Sequence, residues 1–246
     1  MEISNFNLIA QDYHLKRKKP WRPVELFLKF LKDKGYAFNG LILDLGCGNG
    51  RNFQILSTPP NKLIGIDISL ELLKMANHTL NINEQISLKN KNFFQLILGD
   101  ISNPPIRQKS IDCAFCIASL HHIKKKSERT KTITQIRRSL KKTGLLILTV
   151  WRKWQNRFRN YFILEWVKRK LSVKYRIHQQ VKGLEEFGDK LVPWKLSREN
   201  SVFFRFYHFF SKHELKKLLK DFEILEFKIT GGPTNKDNFF VLALKI

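Results

Sequence analysis

Short apolar runs alternate along the chain with segments whose apolar residues recur at helical spacing. Seven of these runs lie at 41–45, 63–67, 95–98, 111–117, 144–150, 224–229 and 239–244. Most are apolar nearly throughout, which is typical of strands that are covered on both faces. Strands that are separated by helices form parallel sheets with right-handed crossovers. The pattern therefore predicts an α/β fold with a doubly wound, mostly parallel sheet of seven strands.

Two of the segments between the runs have a clear helical pattern. Ile133, Ile136 and Leu140 fall on one face of the first segment. The second opens with a capping-box sequence at 211–214, which satisfies backbone groups at the start of a helix. Its apolar side chains are Leu215, Leu218, Leu219 and Phe222. We therefore predict one helix before the 144–150 strand and another before the 224–229 strand.

The stretch from 151 to 210 interrupts this alternation. Its first part, 151–182, contains ten Lys or Arg residues against one Glu, with seven aromatic residues interleaved. Basic side chains follow a phosphate backbone and aromatic rings stack on unpaired bases, so this composition favours contact with nucleic acid. The alternative is an amphipathic helical cap whose aromatic residues fill a core of their own. The predicted parts of the chain are an N-terminal helical cap and substrate segment (1–40), a ligand-binding core (41–150), the basic-aromatic insertion (151–210) and a C-terminal helix with the last two strands (211–246).

The charge of the chain narrows the class of partner. Lys and Arg number 45 against 21 Asp and Glu, which gives a net charge of +24. A field of this sign attracts phosphate polymers or anionic membrane surfaces. A genome rich in A and T would add Lys, but it would not lower the number of acidic residues. The longest apolar stretch, 145–151, is far shorter than the roughly 20 residues of a membrane helix, so nucleic acid is the predicted partner.

The three cysteines bear on the cellular compartment. The first 30 residues contain no apolar run fit for a signal peptide, and the number of cysteines is odd. Both features indicate a reducing compartment, so we predict a cytoplasmic protein and leave a nuclear pool open. Cys113 and Cys116 have the spacing of a zinc-binding pair, but residues three apart on a strand point to opposite faces. With Cys47 unpaired as well, we predict buried structural cysteines and no metal site in this chain.

The strongest chemical signal directly follows the first predicted strand. Gly46, Gly48 and Gly50 lie in a short turn there, and glycine lets a backbone approach a ligand closely. Asp44 precedes these glycines, and Asp67 ends the next strand. An acid in the position of Asp67 is suited to bind the ribose hydroxyls of a nucleotide-like cofactor.

A third acid, Asp100, follows the third predicted strand and precedes Ile101. A carboxylate there can accept a hydrogen bond from an adenine amino group. The third glycine comes one residue earlier than in the dinucleotide-binding pattern, which indicates a cofactor without pyrophosphate. Residues 41–150 thus resemble the class I S-adenosylmethionine-dependent methyltransferases. The resemblance implies a Rossmann-like sheet, S-adenosylmethionine (SAM) as cofactor, and cofactor contacts from Asp44, Gly46, Gly48, Gly50, Asp67, Asp100 and Ile101.

A second set of residues spans nearly the whole chain and narrows the resemblance. It comprises 7–10, 17–21, 118–122, 192–194, 205–208 and 236–240, together with Trp151 and Gln155. In this order they are similar to the tRNA wobble-uridine carboxymethyl methyltransferases. Those enzymes esterify the carboxylate of 5-carboxymethyluridine, or of its 2-thio form, at the first anticodon position. Phe206, Phe239 and Phe240 replace other aromatic residues of that family, which keeps the stacking surface, and Arg152 replaces a residue that is commonly small.

The narrower resemblance implies tRNA as substrate and a protein partner. The partner is a small zinc-binding activator subunit that covers apolar surface of the methyltransferase, and the zinc belongs to that subunit. Two alternatives remain: a methyltransferase of another RNA site or of a small carboxylic acid, and a non-catalytic RNA-binding protein with the same fold. The intact glycines and acids argue against the non-catalytic protein. Turnover that falls steeply with salt would indicate an RNA substrate rather than a small acid.

The implied reaction depends on positioning more than on proton transfer. A carboxylic acid with a pKa of about 4 is ionised at pH 7, so its methylation needs no general base. Arg17 offers a rigid fork that is suited to orient a carboxylate, although it is also one cation in a basic run. His121 follows the fourth strand at the edge where ligands bind, and we prefer it to His122 because adjacent residues do not easily face one pocket.

Arg17 and His121 are therefore the predicted catalytic residues. The predicted substrate contacts are Trp21, Tyr207, His208, Asp237 and Asn238. Asn and Asp can recognise a base edge, and Tyr and His can stack or donate a hydrogen bond. Core packing is the alternative for the aromatic residues, and capping of a strand end is the alternative for Asp237 and Asn238.

Overall fold

The computed structural model describes residues 5–56, 61–82 and 94–246. The strands, in chain order, are β1 (Leu41–Leu45), β2 (Lys62–Asp67), β3 (Phe94–Leu98), β4 (Ile111–Ile117), β5 (Leu140–Trp151), β6 (Asp189–Lys195), β7 (Val202–His208), β8 (Phe222–Thr230) and β9 (Asn238–Lys245). The helices are α1 (Asn5–Lys16), α2 (Arg22–Asp33), α3 (Phe53–Leu56), α4 (Leu70–Ile82), α5 (Lys126–Ser139), α6 (Arg159–Leu171), α7 (Val173–Val181) and α8 (Lys212–Leu218). Among the described residues, no helix combines the length and the apolar character needed to cross a bilayer.

Seven strands form one sheet in the order β3-β2-β1-β4-β5-β9-β8. Strands β1 to β5 are parallel to one another, and β9 runs antiparallel to both β5 and β8. The direction of the crossover reverses between β1 and β4, which opens a crevice at the carboxyl ends of the strands. The predicted seven-stranded, doubly wound sheet is confirmed.

Apolar side chains cover both faces of this sheet. On one face, α2 contributes Val24 and Phe27 and α4 contributes Ala76 to a buried layer. On the other face, α5 contributes Ile133 and Ile136. The strands are covered on both sides, which explains why their sequences are apolar nearly throughout.

Two predicted helical residues belong to strands instead. Helix α5 ends at Ser139, so Leu140 is the first residue of β5, and α8 ends at Leu218, so Phe222 is the first residue of β8. Both side chains are buried in the same apolar layer as the helices that precede them. Each of these residues lies four positions, about one helical turn, after an apolar residue of the preceding helix. It therefore continues the helical periodicity of the sequence although it starts the next strand. The predicted capping box of α8, between Ser211 and Glu214, is confirmed.

The segment after β5 has a small core of its own. Helices α6 and α7 are followed by the antiparallel hairpin of β6 and β7, which forms a separate two-stranded sheet. Phe158, Phe162 and Phe209 are buried together in this segment. Trp154 and Trp166 are 40% and 48% exposed. The interleaved aromatic residues therefore divide between an internal core and rings that remain accessible to a partner.

The three cysteines are free thiols in buried positions. Cys113 and Cys116 lie on β4 and belong to the apolar layers on opposite faces of the sheet. Burial raises the pKa of the Cys116 thiol to about 12, so this group is neutral at physiological pH. The prediction that these cysteines are structural and buried is confirmed.

Candidate cofactor and substrate site

A cavity of about 1630 Å³ lies at the carboxyl ends of the parallel strands. Its floor is formed by the turns that follow β1, β2, β3 and β4. Its walls come from the end of α1 and the loop after it, the β6–β7 hairpin, and the loop that precedes β9. The cavity therefore lies at the topological switch point, where open α/β sheets bind their ligands.

The glycine-rich turn leaves space for a ligand at one position. Gly48 has a φ of +58° and lines the cavity, and a Cβ at this residue would meet only the ring edge of Tyr13, at 4.0 Å. Gly46 also lines the cavity, but a Cβ there would lie 2.2 Å from Ser119 Oγ. A Cβ at Gly50 would lie 2.6 Å from the ring of Phe53, and Gly50 does not line the cavity. Gly50 thus lets the chain turn into α3, and its cofactor contact stays a prediction.

Asp67 is held rigidly at the end of β2. One carboxylate oxygen accepts a hydrogen bond of 2.8 Å from the backbone of Gly48, and the other accepts one of 2.8 Å from the backbone of Ser69. The carboxylate lines the cavity and is nearly buried. Each oxygen has a second lone pair, so the group can still accept hydrogen bonds from a ribose diol.

Asp100 and Ile101 reach the same cavity from the turn after β3. One oxygen of Asp100 accepts a hydrogen bond of 2.8 Å from the backbone of Ser102. Asp67 and Asp100 thus provide two anchored acceptors, and Gly48 provides the space between the turn and the ligand. This arrangement fits the ribose and adenine of SAM, whose sulfonium methyl, when bound, is activated for transfer.

Asp44 lies behind the glycine-rich turn and does not line the cavity. The residue is 2% exposed, and its Oδ2 has no hydrogen-bond partner among the described residues. Burial, and then the neighbouring charge of Asp67, raise the pKa of Asp44 to about 7. Its direct cofactor contact stays a prediction, and from this position its charge can also act on a ligand through the turn.

This charge pattern predicts that SAM affinity depends on pH. Between about pH 6 and pH 8 we expect affinity for SAM to rise, because its sulfonium favours the ionised forms of Asp44 and Asp67. Below pH 7 the expected loss is up to about tenfold per pH unit. S-adenosylhomocysteine (SAH), whose sulfur is neutral, is the control and should depend much less on pH. Calorimetric titrations with both ligands measure the two slopes, and equal slopes would contradict the prediction.

The substrate half of the cavity is lined by stacked rings. Tyr207 lies 4.9 Å from His121, with nearly parallel planes, and 4.3 Å from Trp151. All three residues line the cavity, as does Trp21, whose ring lies 5.5 Å from Phe240. Flat aromatic surfaces of this kind are suited to hold a planar base. The structure thus brings the predicted contacts Tyr207 and Trp21 to the cavity.

Both histidines of the adjacent pair face the cavity, contrary to the expectation that only one would do so. The backbone N–H of Trp151 donates to His121 Nδ1 at 3.3 Å, so the neutral ring carries its proton on Nε2. His122 Nδ1 lies 2.9 Å from the carbonyl oxygen of Phe206 and must donate to it, which leaves Nε2 as an acceptor. Burial holds the pKa of His121 well below its usual range and lowers that of His122 to about 3. The pair therefore presents one neutral donor and one neutral acceptor.

His208, predicted to contact the substrate, does not line the cavity. It neighbours Tyr207 on β7, and successive side chains of a strand point to opposite faces. Its ring lies 2.7 Å from Asp189 and 2.7 Å from Glu214. Burial lowers the pKa of His208, but the hydrogen bonds to these two carboxylates outweigh burial and raise it. The protonated ring thus joins the hairpin to α8.

Asp237 and Asn238 both line the cavity, but only one of them is free to recognise a substrate. The Asp237 carboxylate accepts hydrogen bonds from the backbone and hydroxyl of Thr234, at 3.0 and 2.7 Å, and so shapes its own loop. Asn238 is 2% exposed, and its Oδ1 has no hydrogen-bond partner within the described part of the chain. Asn238 is therefore the better candidate for recognition of a base edge.

Arg17 lines the cavity but is exposed, and its Nη1 donates to the carbonyl of Lys16. Sequence reasoning missed a second cation, Arg205, which lines the same cavity and is only 8% exposed. Arg205 lies two residues before Tyr207 on β7, so the two share a face of the strand. Once Tyr207 is predicted to face the substrate, its spacing from Arg205 on a strand predicts that Arg205 faces the same way.

Comparison with known proteins agrees with this geometry. The methyltransferase domain family matches residues 43–148. A tRNA (carboxymethyluridine(34)-5-O)-methyltransferase of Schizosaccharomyces pombe is 26% identical over 98% of this chain and 94% of its own length. An Arabidopsis thaliana protein of the same name is 30% identical, over 59% of this chain and 31% of its own length.

A solved structure shares the fold. The SAM-dependent methyltransferase of Methanosarcina mazei superposes with a TM-score of 0.65 at 23% identity, and covers 88% of this chain and 97% of its own. The sheet order, the anchored carboxylates at successive strand ends and the domain match all agree. Residues 43–148 match the methyltransferase domain family, and the chain shares the fold of a SAM-dependent methyltransferase.

Proposed function

We propose that this methyltransferase acts on tRNA and esterifies the carboxylate of 5-carboxymethyluridine, or of its 2-thio form, at the wobble position. The observation that carries the proposal is the alignment with the Schizosaccharomyces pombe enzyme over nearly the full length of both chains. That alignment extends through the segment after β5, which supplies Tyr207 and Arg205 to the cavity. The likeness therefore includes the substrate half of the site as well as the cofactor half.

The neutral histidines of the cavity suit a reaction without proton removal. A carboxylate substrate is already ionised at pH 7. Its oxygen forms a bond to the methyl carbon while the carbon–sulfur bond breaks, so the two charges cancel and no base is required. The task of the side chains is then to orient the base and its carboxylate in line with the methyl group.

The donor and acceptor of the histidine pair match the edge of a uracil base. Uracil presents carbonyl oxygens that accept hydrogen bonds and an N3–H that donates one. In the proposed complex, Nε2–H of His121 donates to a carbonyl and Nε2 of His122 accepts from N3–H. Tyr207 stacks on the base, and Asn238 contacts its remaining polar edge.

The surface outside the cavity supports binding of the tRNA body. The chain carries a net charge of +24, and the basic residues of 151–182 surround the exposed ring of Trp166, over which Lys170 lies at 4.5 Å. Exposed rings and cations together suit unpaired anticodon bases and the phosphates that flank them. Arg17, exposed at the mouth of the cavity, is assigned to the same role.

The zinc-binding activator subunit remains part of the proposal. β3 is at one end of the sheet order, so its outer edge pairs with no other described strand. Leu98 and Leu70, near that edge, are 54% and 45% exposed. An open strand edge with apolar neighbours is a natural place for a partner to add a strand or an apolar face. A tRNA substrate and three unpaired cysteines agree with the cytoplasmic location that we also propose.

The test is methyl transfer from labelled SAM to tRNA that lacks the ester, with and without a candidate activator subunit. Mild alkali should then release the label as methanol, and nucleoside analysis should place the ester at the wobble position. Label that resists alkali would show that the methyl group is on a base or ribose atom and not on a carboxylate. Cofactor binding without any transfer to tRNA would favour a small carboxylic acid as substrate, and turnover that does not change with salt would support that conclusion.

A further inference from the structure

We propose that Arg205 forms a buried subsite for the carboxylate of the substrate, and that Arg205, rather than Arg17, senses its negative charge. The inference rests on the proposed function and assigns a residue to its central recognition step. It also replaces the prediction, made from the resemblance, that Arg17 orients the nucleophile.

The first observation is that Arg205 is buried without a counter-ion. Its side chain is 8% exposed, and no described carboxylate forms an ion pair with it. Its Nε–H has no hydrogen-bond partner among residues 5–56, 61–82 and 94–246. A buried guanidinium in this condition is unfavourable unless an anion completes the site.

The second observation is that aromatic rings hold this guanidinium in place. Its carbon lies 4.6 Å from the ring centre of Trp194 and 5.1 Å from that of Tyr207. Trp194 is itself anchored, because its Nε1–H donates to Asp12 at 2.7 Å. Aromatic faces attract a cation and limit its orientation, but they leave its N–H groups and its charge available.

The third observation is that the charge of Arg205 acts on the substrate side of the cavity. Its field adds to the effect of burial in lowering the pKa values of His121 and His122. Three acids that line the cavity accept hydrogen bonds from their own loops: Asp67 from the glycine-rich turn, Asp100 from Ser102, and Asp237 from Thr234. No ion pair of the described residues joins an acid of the cavity to Arg205, so its charge is available to an anionic ligand.

Arg17 differs in each respect. It is exposed, it donates to a neighbouring carbonyl, and it lies 5.9 Å from the ring centre of Trp194. A cation in water at the mouth of a cavity contributes little discrimination between a charged and a neutral group, because solvent screens it. It is better suited to a phosphate of the tRNA backbone.

The experiment compares two tRNAs that differ only at the wobble base. One carries 5-carboxymethyluridine, and the other carries the nearly isosteric, neutral 5-carbamoylmethyluridine. Binding to the full chain with SAH is measured for the wild type and for Arg205→Gln, Arg205→Lys, Arg17→Gln and Arg138→Gln. Arg138 is an exposed control at the end of α5, at the sheet edge opposite the cavity.

We expect the wild type to prefer the carboxylate by about tenfold or more, as a charge-assisted hydrogen bond would provide. Arg205→Gln should bind both tRNAs with the affinity that the wild type has for the amide. Arg205→Lys should keep part of the preference, because it keeps the charge. Arg17→Gln should weaken binding of both tRNAs by the same factor and keep the preference for the carboxylate. Arg138→Gln should change neither the affinities nor the preference.

Two results would overturn the inference. Equal weakening of both tRNAs by Arg205→Gln would show that the guanidinium binds a backbone phosphate. Loss of the preference in Arg17→Gln would return the role to Arg17. A variant is taken as folded when its SAH affinity and its melting temperature are those of the wild type. If Arg205→Gln is not folded, Arg205→Lys is compared with the wild type instead. Failure of the wild type to methylate the carboxymethyl tRNA would instead reject the proposed function.

Discussion

Replacing Asp67 by alanine is expected to weaken SAM binding by about 100-fold. The variant loses the two backbone hydrogen bonds that hold the glycine-rich turn at Gly48 and the start of α4 at Ser69. It also loses the acceptor for the ribose diol. Hydrogen bonds to a charged group contribute about 1.5–3 kcal/mol each, so a net loss of roughly 3 kcal/mol follows even when burial offsets part of it. Isothermal titration with SAM and SAH measures the loss.

The matched control is Asp221→Ala. Asp221 is exposed in the turn before β8, at the amino ends of the strands and hence at the edge opposite the cavity. Its removal should leave both affinities unchanged. Asp67→Asn keeps one side-chain acceptor, and its affinity for SAM should lie between those of Asp67→Ala and Asp221→Ala. SAM binding that survives Asp67→Ala within a few-fold would contradict the assignment of this carboxylate to the ribose.

Replacing Arg129 by alanine is expected to destabilise the protein by about 3–5 kcal/mol. Arg129 is 1% exposed, and its Nη2 donates to both carboxylate oxygens of Glu186 at 2.8 Å. Its Nη1 donates to the carbonyls of Ile123 and Lys124, at 3.1 and 2.7 Å. Removal of the guanidinium leaves these groups without a partner beside the charged pair of His208 and Glu214. Urea denaturation measures the change in the free energy of unfolding.

Two further variants separate charge from packing. Lys131→Ala removes an exposed cation of the same helix, which lies 3.7 Å from Glu128, and should cost at most about 1 kcal/mol. Arg129→Met keeps the buried stem without the charge, and it should lose nearly as much stability as alanine. A loss below about 1 kcal/mol for Arg129→Ala would mean that water satisfies the network. Full rescue by methionine would mean that packing, and not charge, holds the hairpin to α5.

The cofactor half of the site was largely accessible from the sequence. Asp67 ends β2 and Asp100 lies two residues after the end of β3, and the carboxyl ends of parallel strands meet at one edge of a sheet. Their convergence therefore follows from local position and fold class. Asp44 and Gly50 belong to the same motif, but the structure places both behind the turn, because position in a motif does not say which residues meet the ligand and which support it.

The substrate half was less accessible, because it comes from segments that are distant in the chain. Tyr207 and His208 are neighbours, and the sequence offered no means to tell which of them faces the cavity. The carboxylates of buried Asp189 and half-buried Glu214 bind His208, so Tyr207 and Arg205 lie on the opposite face of β7. The same limit applied to His121 and His122, since the short turn after β4 brings both rings to the cavity.

The sequence by itself determined the seven strands of the main sheet, the glycine-rich turn and the acids at the strand ends, because each depends on neighbouring residues and on a regular period. It did not predict the β6–β7 hairpin. Local periodicity did not decide where a helix passes into a strand, as Leu140 and Phe222 illustrate. Only the tertiary structure decided which face of the β6–β7 hairpin meets the cavity. That choice depends on charges far apart in the chain: Asp189 and Glu214 hold His208 on one face, and the opposite face leaves Arg205 buried in the wall of the cavity, without a described carboxylate partner.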